Sequence, residues 1–331
     1  MKRFVYWALG ILAALAIVLF LAIRFSPWPA VALIQYVFAQ GDAASEARLE
    51  KHVPPGLVSR TSLPYGGGTS EIFDINLPPN ASGPLPVIVW VHGGAWIAGS
   101  KEGVSNYLKV LTGYGYATVG LEYSTGFGTT YPTPVRQVNA ALGHIETHAA
   151  DLGIDPSRII LAGDSAGAQL AAQVANLTTD ADYARAVDIE PTITADQLAG
   201  VLLVSGAYDM QQVRDSGDMS WFINAVLWAY SGVSDFFDDD QFELASVGRY
   251  VTASFPPAYV TSGNGDPLAP QAVALVDRLT ALDVPVESLF FAADHQPALP
   301  HEYQFNLDTP EGQQSLQQML AFIAQRVDPT P

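Results

Sequence analysis

Residues 158–167 read RIILAGDSAG, and this stretch decides the fold class. Its first half, 158–162, follows Arg158 with a short apolar run that includes two β-branched residues, suited to a strand buried on both faces. Its second half, Gly163-Asp164-Ser165-Ala166-Gly167, is a G-x-S-x-G match that runs straight into a helix of small residues over 166–175. A strand that turns sharply into a helix is the setting in which this loose pattern becomes a nucleophile elbow. Side chains flanking so sharp a turn would collide, and Gly163 and Gly167 remove them. Ser165 is then held out at the sheet edge, at a helix N-terminus that favours negative charge.

Working outward, short β-like runs alternate with amphipathic helices. Strands are expected at 72–77, 87–91 (VIVWV), 117–123, 201–204, 258–260 and 286–291. Helices are expected where Val138, Leu142, Ile145 and Ala149 form one stripe, and again between residues 270 and 282. A last helix puts Leu316, Met319, Leu320, Ile323 and Val327 on one face. Continuous apolar runs in the middle strands predict an α/β fold with a mostly parallel sheet covered on both faces. The stretch 208–255 breaks the alternation with WFINAVLWAY (221–230) and DFFDDD (235–240), and reads as a helical cap inserted between two strands. Asp238-Asp239-Asp240 lacks the alternating ligands and glycine of a calcium loop and reads as a solvated acidic turn.

Composition narrows the function classes. The 331 residues hold 15 Lys and Arg against 33 Asp and Glu, a net charge of −18, which disfavours binding to nucleic acid. With no cysteine, disulfides, thiolate metal sites and a cysteine nucleophile are excluded. Hydrophobic residues at 49% exclude a disordered chain.

A second motif follows the buried run VIVWV: His92-Gly93-Gly94-Ala95-Trp96. An oxyanion needs pre-aimed N–H donors, and glycines let bare backbone approach it. Gly93, Gly94 and Ala166 are the expected donors. His92 is expected to shape this loop rather than act as a base, and Trp96 to pack beside the acyl site.

HGG-x-W together with GDSAG resembles the α/β-hydrolase superfamily, specifically its hormone-sensitive-lipase-like esterase branch. The HGGAW form is also similar to feruloyl-esterase-like and kynurenine-formamidase-like members. The resemblance covers residues 70–328 and departs at Ala95, where many lipolytic members carry a third glycine. It implies an order of nucleophile, acid and base. Asp266, after the expected strand AYVTSG, then takes the place of the acid; its rival Asp294 comes too late in the chain. Two histidines compete for the base, His295 and His301, and HEYQF at 301–305 resembles the family's entry to its last helix, which favours His301. The implied activity is hydrolysis of small carboxylic esters through Ser165, His301 and Asp266, with no cofactor and no metal. Trp221 and Leu227 of the insertion are expected to line the substrate pocket. The alternatives are an arylformamide hydrolase and an inert hydrolase scaffold that binds a ligand. His144 and His148 do not form H-E-x-x-H, so no metal site is expected there, and His52 has no visible partner.

At the other end of the chain, residues 4–23 form an unbroken run of apolar or small residues, which as a helix spans about 30 Å, one hydrocarbon thickness. Lys2 and Arg3 precede it, so the positive-inside rule predicts a single-pass signal anchor over 1–24, with the catalytic body outside the cytoplasmic membrane. Cleavage near Ala30-Val31-Ala32, and secretion, is the alternative. Residues 25–70 read as a juxtamembrane linker or a flap over the site, with Val31, Ile34, Val37 and Phe38 at helical spacing before Gly41. The hydrolase domain is expected over 71–331.

Overall fold

The computed structural model describes residues 2–215 and 220–327. In chain order the helices are α1 (Lys2–Phe25), α2 (Trp28–Leu49), α3 (Ser105–Thr112), α4 (Thr133–Thr147), α5 (Ala149–Leu152), α6 (Ala166–Thr179), α7 (Ala181–Val187), α8 (Ser220–Ser231), α9 (Asp240–Glu243), α10 (Ala269–Ala281) and α11 (Pro310–Val327). The strands are β1 (Val58–Pro64), β2 (Ile72–Leu77), β3 (Leu85–Val91), β4 (Ala117–Leu121), β5 (Ile154–Asp164), β6 (Leu198–Val204), β7 (Ala258–Ser262) and β8 (Val286–Phe290).

The strands form one sheet in the order β1-β2-β4-β3-β5-β6-β7-β8. The pairs β1–β2 and β2–β4 are antiparallel, and the remaining neighbours are parallel. In β3 the strand period of two separates the faces: Val87, Val89 and Val91 join the core beneath α4, α6 and α10, while Ile88 and Trp90 join the core beneath α3 and α11. Both faces of the central strands are therefore buried, which is why VIVWV and RIILA show no alternation of polar and apolar residues.

The sheet begins earlier than residue 71. β1 is an edge strand whose side chains are mostly exposed, so VSRTSLP carries no apolar alternation by which to recognise it. Between residues 25 and 57, α2 is likewise more than a linker. It runs through Gly41 to Leu49, although a mid-helix glycine costs about 1 kcal/mol relative to alanine. Tertiary contacts offset that cost: Val31, Ile34 and Leu49 are buried, the Gln35 side-chain amide donates to the Ile97 carbonyl at 2.7 Å, and Glu46 accepts from the Asn106 N–H at the start of α3. α1 is long and apolar enough over Arg3–Ala22 to cross a membrane, as signal sequences also are, and none of that span is buried against the protein.

Between β6 and β7, α8 packs against α2. Asp239, from the acidic run, N-caps α9 by accepting from the N–H groups of Gln241 and Phe242. α8 stands over the carboxyl end of the parallel strands, where open α/β sheets bind ligands.

Candidate active site

The elbow follows from sterics. β5 ends at Asp164 and α6 starts at Ala166, leaving Ser165 at φ +51°, ψ −118°. A left-handed φ on a residue with a Cβ costs on the order of 1–3 kcal/mol, and the flanks allow it only because they are glycine. A Cβ on Gly163 would strike the Gly167 backbone, and one on Gly167 would strike the Val91 carbonyl. The Ser165 N–H donates to the Val204 carbonyl at 2.8 Å, which anchors the turn to β6.

Two loops bring their side chains to this serine. Asp266 follows β7 and is buried; its carboxylate accepts from the Leu268 N–H at 2.8 Å and from the Ser262 hydroxyl at 2.8 Å. His301 lies in the segment between β8 and α11. Its Nδ1 donates to Asp266 Oδ2 at 2.9 Å, and its Nε2 accepts from Ser165 Oγ at 2.9 Å. Asp266 can only accept, so it fixes the tautomer and leaves Nε2 free to take a proton. Burial would raise the Asp266 carboxyl, but the His301 hydrogen bond and charge hold it below the ordinary carboxylate range. Burial also opposes a charged His301, yet the Glu302 carboxylate and the Asp266 bond prevail and push it up to about 9.

Of the rivals, His295 faces away and pairs with Glu311 at 3.2 Å, and Asp294 is exposed. His52, which had no partner legible in the sequence, bonds Asp308 at 3.0 Å. His144 and His148 stack on one another at 4.0 Å.

The HGGAW loop holds three successive left-handed residues, Gly94, Ala95 and Trp96, at φ +116°, +52° and +59°. Gly94 is required here, because a Cβ would meet the backbone of Ala98 and Gly99. His92 shapes the loop as expected: its Nδ1 donates to the Gly93 carbonyl at 2.7 Å, and its ring stacks on Tyr123 at 4.3 Å. The Trp96 indole N–H donates to Gln169 at 2.9 Å, and its ring stacks on Tyr230 of α8 at 4.9 Å.

One expected donor is otherwise engaged. The Gly93 N–H donates to Asp164 Oδ2 at 2.8 Å, so it does not serve an oxyanion. Asp164, the residue before the nucleophile, also accepts from the Trp90 indole at 2.6 Å and ties the two motifs together. Burial, followed by the charge of Glu302, raises the Asp164 carboxyl well above the ordinary range. Glu302 Oε1 stands 3.6 Å from His301 Nε2, on the side of the ring that faces Ser165. Sequence reading missed both roles, although Asp164 is the variable position of G-x-S-x-G and Glu302 directly follows His301.

Two cavities meet at Ser165 and His301. An apolar one of about 460 Å³ is lined by Trp96, Ala166, Phe222, Val226 and Leu227 among others. The second, about 350 Å³, is lined by Gly94, Asp42, Asp164 and Glu302 among others. Phe38 of α2 borders both, so α2 forms part of the roof. Leu227 lies where the sequence put it, but Trp221 does not line the pocket. It is 58% exposed, and the next residue, Phe222, turns inward in its place.

This geometry has known counterparts. The BD-FAE family model matches residues 73–279.

The chain belongs to the BD-FAE family.

Its relatives include carboxylesterase NlhH of Mycobacterium tuberculosis, 28% identical over 88% of this chain and 91% of that protein. Esterase LipQ of the same organism is 32% identical over 64% of this chain and 50% of its own length. Among solved structures, esterase B of Lactobacillus rhamnosis superposes with a TM-score of 0.78 at 23% identity, covering 91% of this chain and 96% of that one. A bacterial heroin esterase gives 0.73 at 24% identity, covering 90% and 93%. The fold is that of the α/β-hydrolases, the superfamily expected from HGGAW and GDSAG.

Proposed function

We propose that this chain is a serine carboxylesterase held in the cytoplasmic membrane by α1, with its catalytic body outside. The observation that carries the catalytic reading is the unbroken relay from Ser165 Oγ to His301 Nε2 and from His301 Nδ1 to Asp266, each link 2.9 Å. Names of relatives such as carboxylesterase NlhH support the ester bond as the target. His301 takes the Ser165 proton as Oγ attacks the ester carbonyl, and Asp266 stabilises the imidazolium that forms. The N–H groups of Gly94 and Ala166 hold the oxyanion. The Ala95 N–H, in the same left-handed run, replaces the donor that Gly93 gives to Asp164. His301 then protonates the leaving alcohol, and a water activated by the same histidine releases the acid. The acyl group occupies the apolar cavity, where each buried methylene contributes about 0.8 kcal/mol. The basic flank of Lys2 and Arg3 supports a cytoplasmic N-terminus.

A fluorophosphonate probe tests the nucleophile. It should label the wild-type protein at Ser165, and Ser165→Ala should abolish labelling and lower kcat by a factor on the order of 10⁶. Labelling that persists in the variant would overturn the assignment. Parallel assays on p-nitrophenyl esters and an arylformamide separate ester from amide preference.

A further inference from the structure

Beside the apolar cavity lies a surface unlike the rest of this acidic protein. Three segments without a single charged residue, 25–41, 123–135 and 220–234, converge there from distant parts of a chain with 33 acids. Trp28 meets Phe127 at 4.9 Å, Phe38 meets Phe222 at 6.2 Å, and the Tyr131 N–H donates to the Tyr230 carbonyl at 2.7 Å. On α2, Val31 and Ile34 face inward, while Leu33, Tyr36 and Val37 make an outer stripe. Tyr36 is 66% exposed and Phe127 83%, and Trp221 adds a third aromatic ring to this surface. Val37, itself mostly exposed, also borders the cavity that holds Ser165. Soluble monomers rarely show water a contiguous apolar patch of this kind.

Chain continuity says what covers it. Only Ser26 and Pro27 separate α1 from α2. Leu33 lies five residues into α2, about 8 Å along its axis, comparable to the 5–10 Å depth of an interfacial helix. Tyrosine and tryptophan, which stand on this rim, are the residues that favour the membrane–water boundary.

We propose that the rim rests on the bilayer that holds α1, and that the substrate is an amphiphilic ester entering the site directly from the lipid, acyl chain first into the apolar cavity. This rests on the esterase and anchor readings above. The acidic remainder of the surface stays in water, and the charge-free face beside the apolar cavity contacts acyl chains and headgroups. Water-soluble esters reach Ser165 without using the rim; lipid-resident esters need it.

Because the chain has no cysteine, a single introduced one reports its own surroundings. The full chain, carrying Phe127→Cys or, at the opposite end of the sheet, Asp196→Cys, is labelled with an environment-sensitive dye and placed in lipid nanodiscs. Nitroxide-bearing phospholipids should quench the dye at 127 several-fold more than at 196. In the same nanodiscs, the double variant Tyr36→Asp/Phe127→Asp should hydrolyse p-nitrophenyl acetate within about twofold of wild type, but embedded diacylglycerol at least about tenfold more slowly. Equal quenching at the two positions overturns the proposal. So does an emission shift at 127 that nitroxide lipids leave unchanged, since that would mean a protein partner, and so does a parallel fall on both esters. If the wild type hydrolyses neither ester, the esterase reading fails, and the quenching comparison still decides the rim.

Discussion

Around Ser165 the backbone is strained and the polar groups are tied to one another, whereas across the cavity α2 and α8 meet the site mainly through apolar side chains. On the sheet side, Ser165, Ala95 and Trp96 hold left-handed conformations, and Asp164 links β3, the HGGAW loop and the elbow through two hydrogen bonds. On the roof side, Phe38, Phe222, Val226 and Leu227 contribute shape and apolar area. Directional bonds are needed where atoms must be held for reaction, since a small displacement costs much of the rate. Non-directional contacts suffice where the task is to accept a chain of a given length. The sheet side should therefore respond to mutation in rate and the roof side in preference.

The largest expected effect lies on the sheet side. His301→Ala should be nearly as damaging as loss of Ser165, because the two act as a unit, with kcat falling by a factor on the order of 10⁴–10⁶. His295→Ala, which removes only a pairing with Glu311, should stay within about twofold in steady-state assays. The reverse ranking would move the base and break the contrast.

A smaller effect tests electrostatics at the same spot. His301 serves as a base only when neutral, and its pKa of about 9 means that below pH 9 the active fraction falls about tenfold per unit. In wild type, kcat/KM should climb from pH 7 toward pH 9. Glu302→Gln removes a charge 3.6 Å from Nε2, so the apparent pKa should drop and the climb should begin at lower pH. A pH–rate profile with the same midpoint in both proteins would show that Glu302 does not set the base.

The smallest effect belongs to the roof. Leu227→Ala should lower the ratio of kcat/KM for butyryl over acetyl esters several-fold, through loss of contact with about two methylenes, while Ser165 labelling persists. Trp221→Ala, outside the pocket, should leave that ratio unchanged. An unchanged ratio in the Leu227 variant would mean that the acyl wall is built elsewhere, with Phe38 of α2 the next candidate.

Much of the fold was legible because it rests on local physics. β2 was readable to the residue, and VIVWV and RIILA lie within longer strands. β1 was not, because an exposed edge strand needs no apolar pattern to pair. Gly41 suggested an end to α2, but contacts from Gln35 and Glu46 to distant loops carry the helix past it. Hydrophobicity alone points Trp221 inward, but the helix turns Phe222 to the cavity instead.

By itself the sequence determined the class of sheet and the elbow, because strand period, apolar run length and the two glycines around Ser165 are properties of neighbouring residues. It also marked α1 as a segment apolar enough for a membrane, since that depends on length and composition alone. Only the tertiary structure decided that His301 rather than His295 meets Ser165, that Asp164 takes the Gly93 N–H, and that α2 roofs the cavity. Each of these depends on where a side chain or N–H points after loops from distant strands have converged on one sheet edge, and no periodicity along the chain carries that direction.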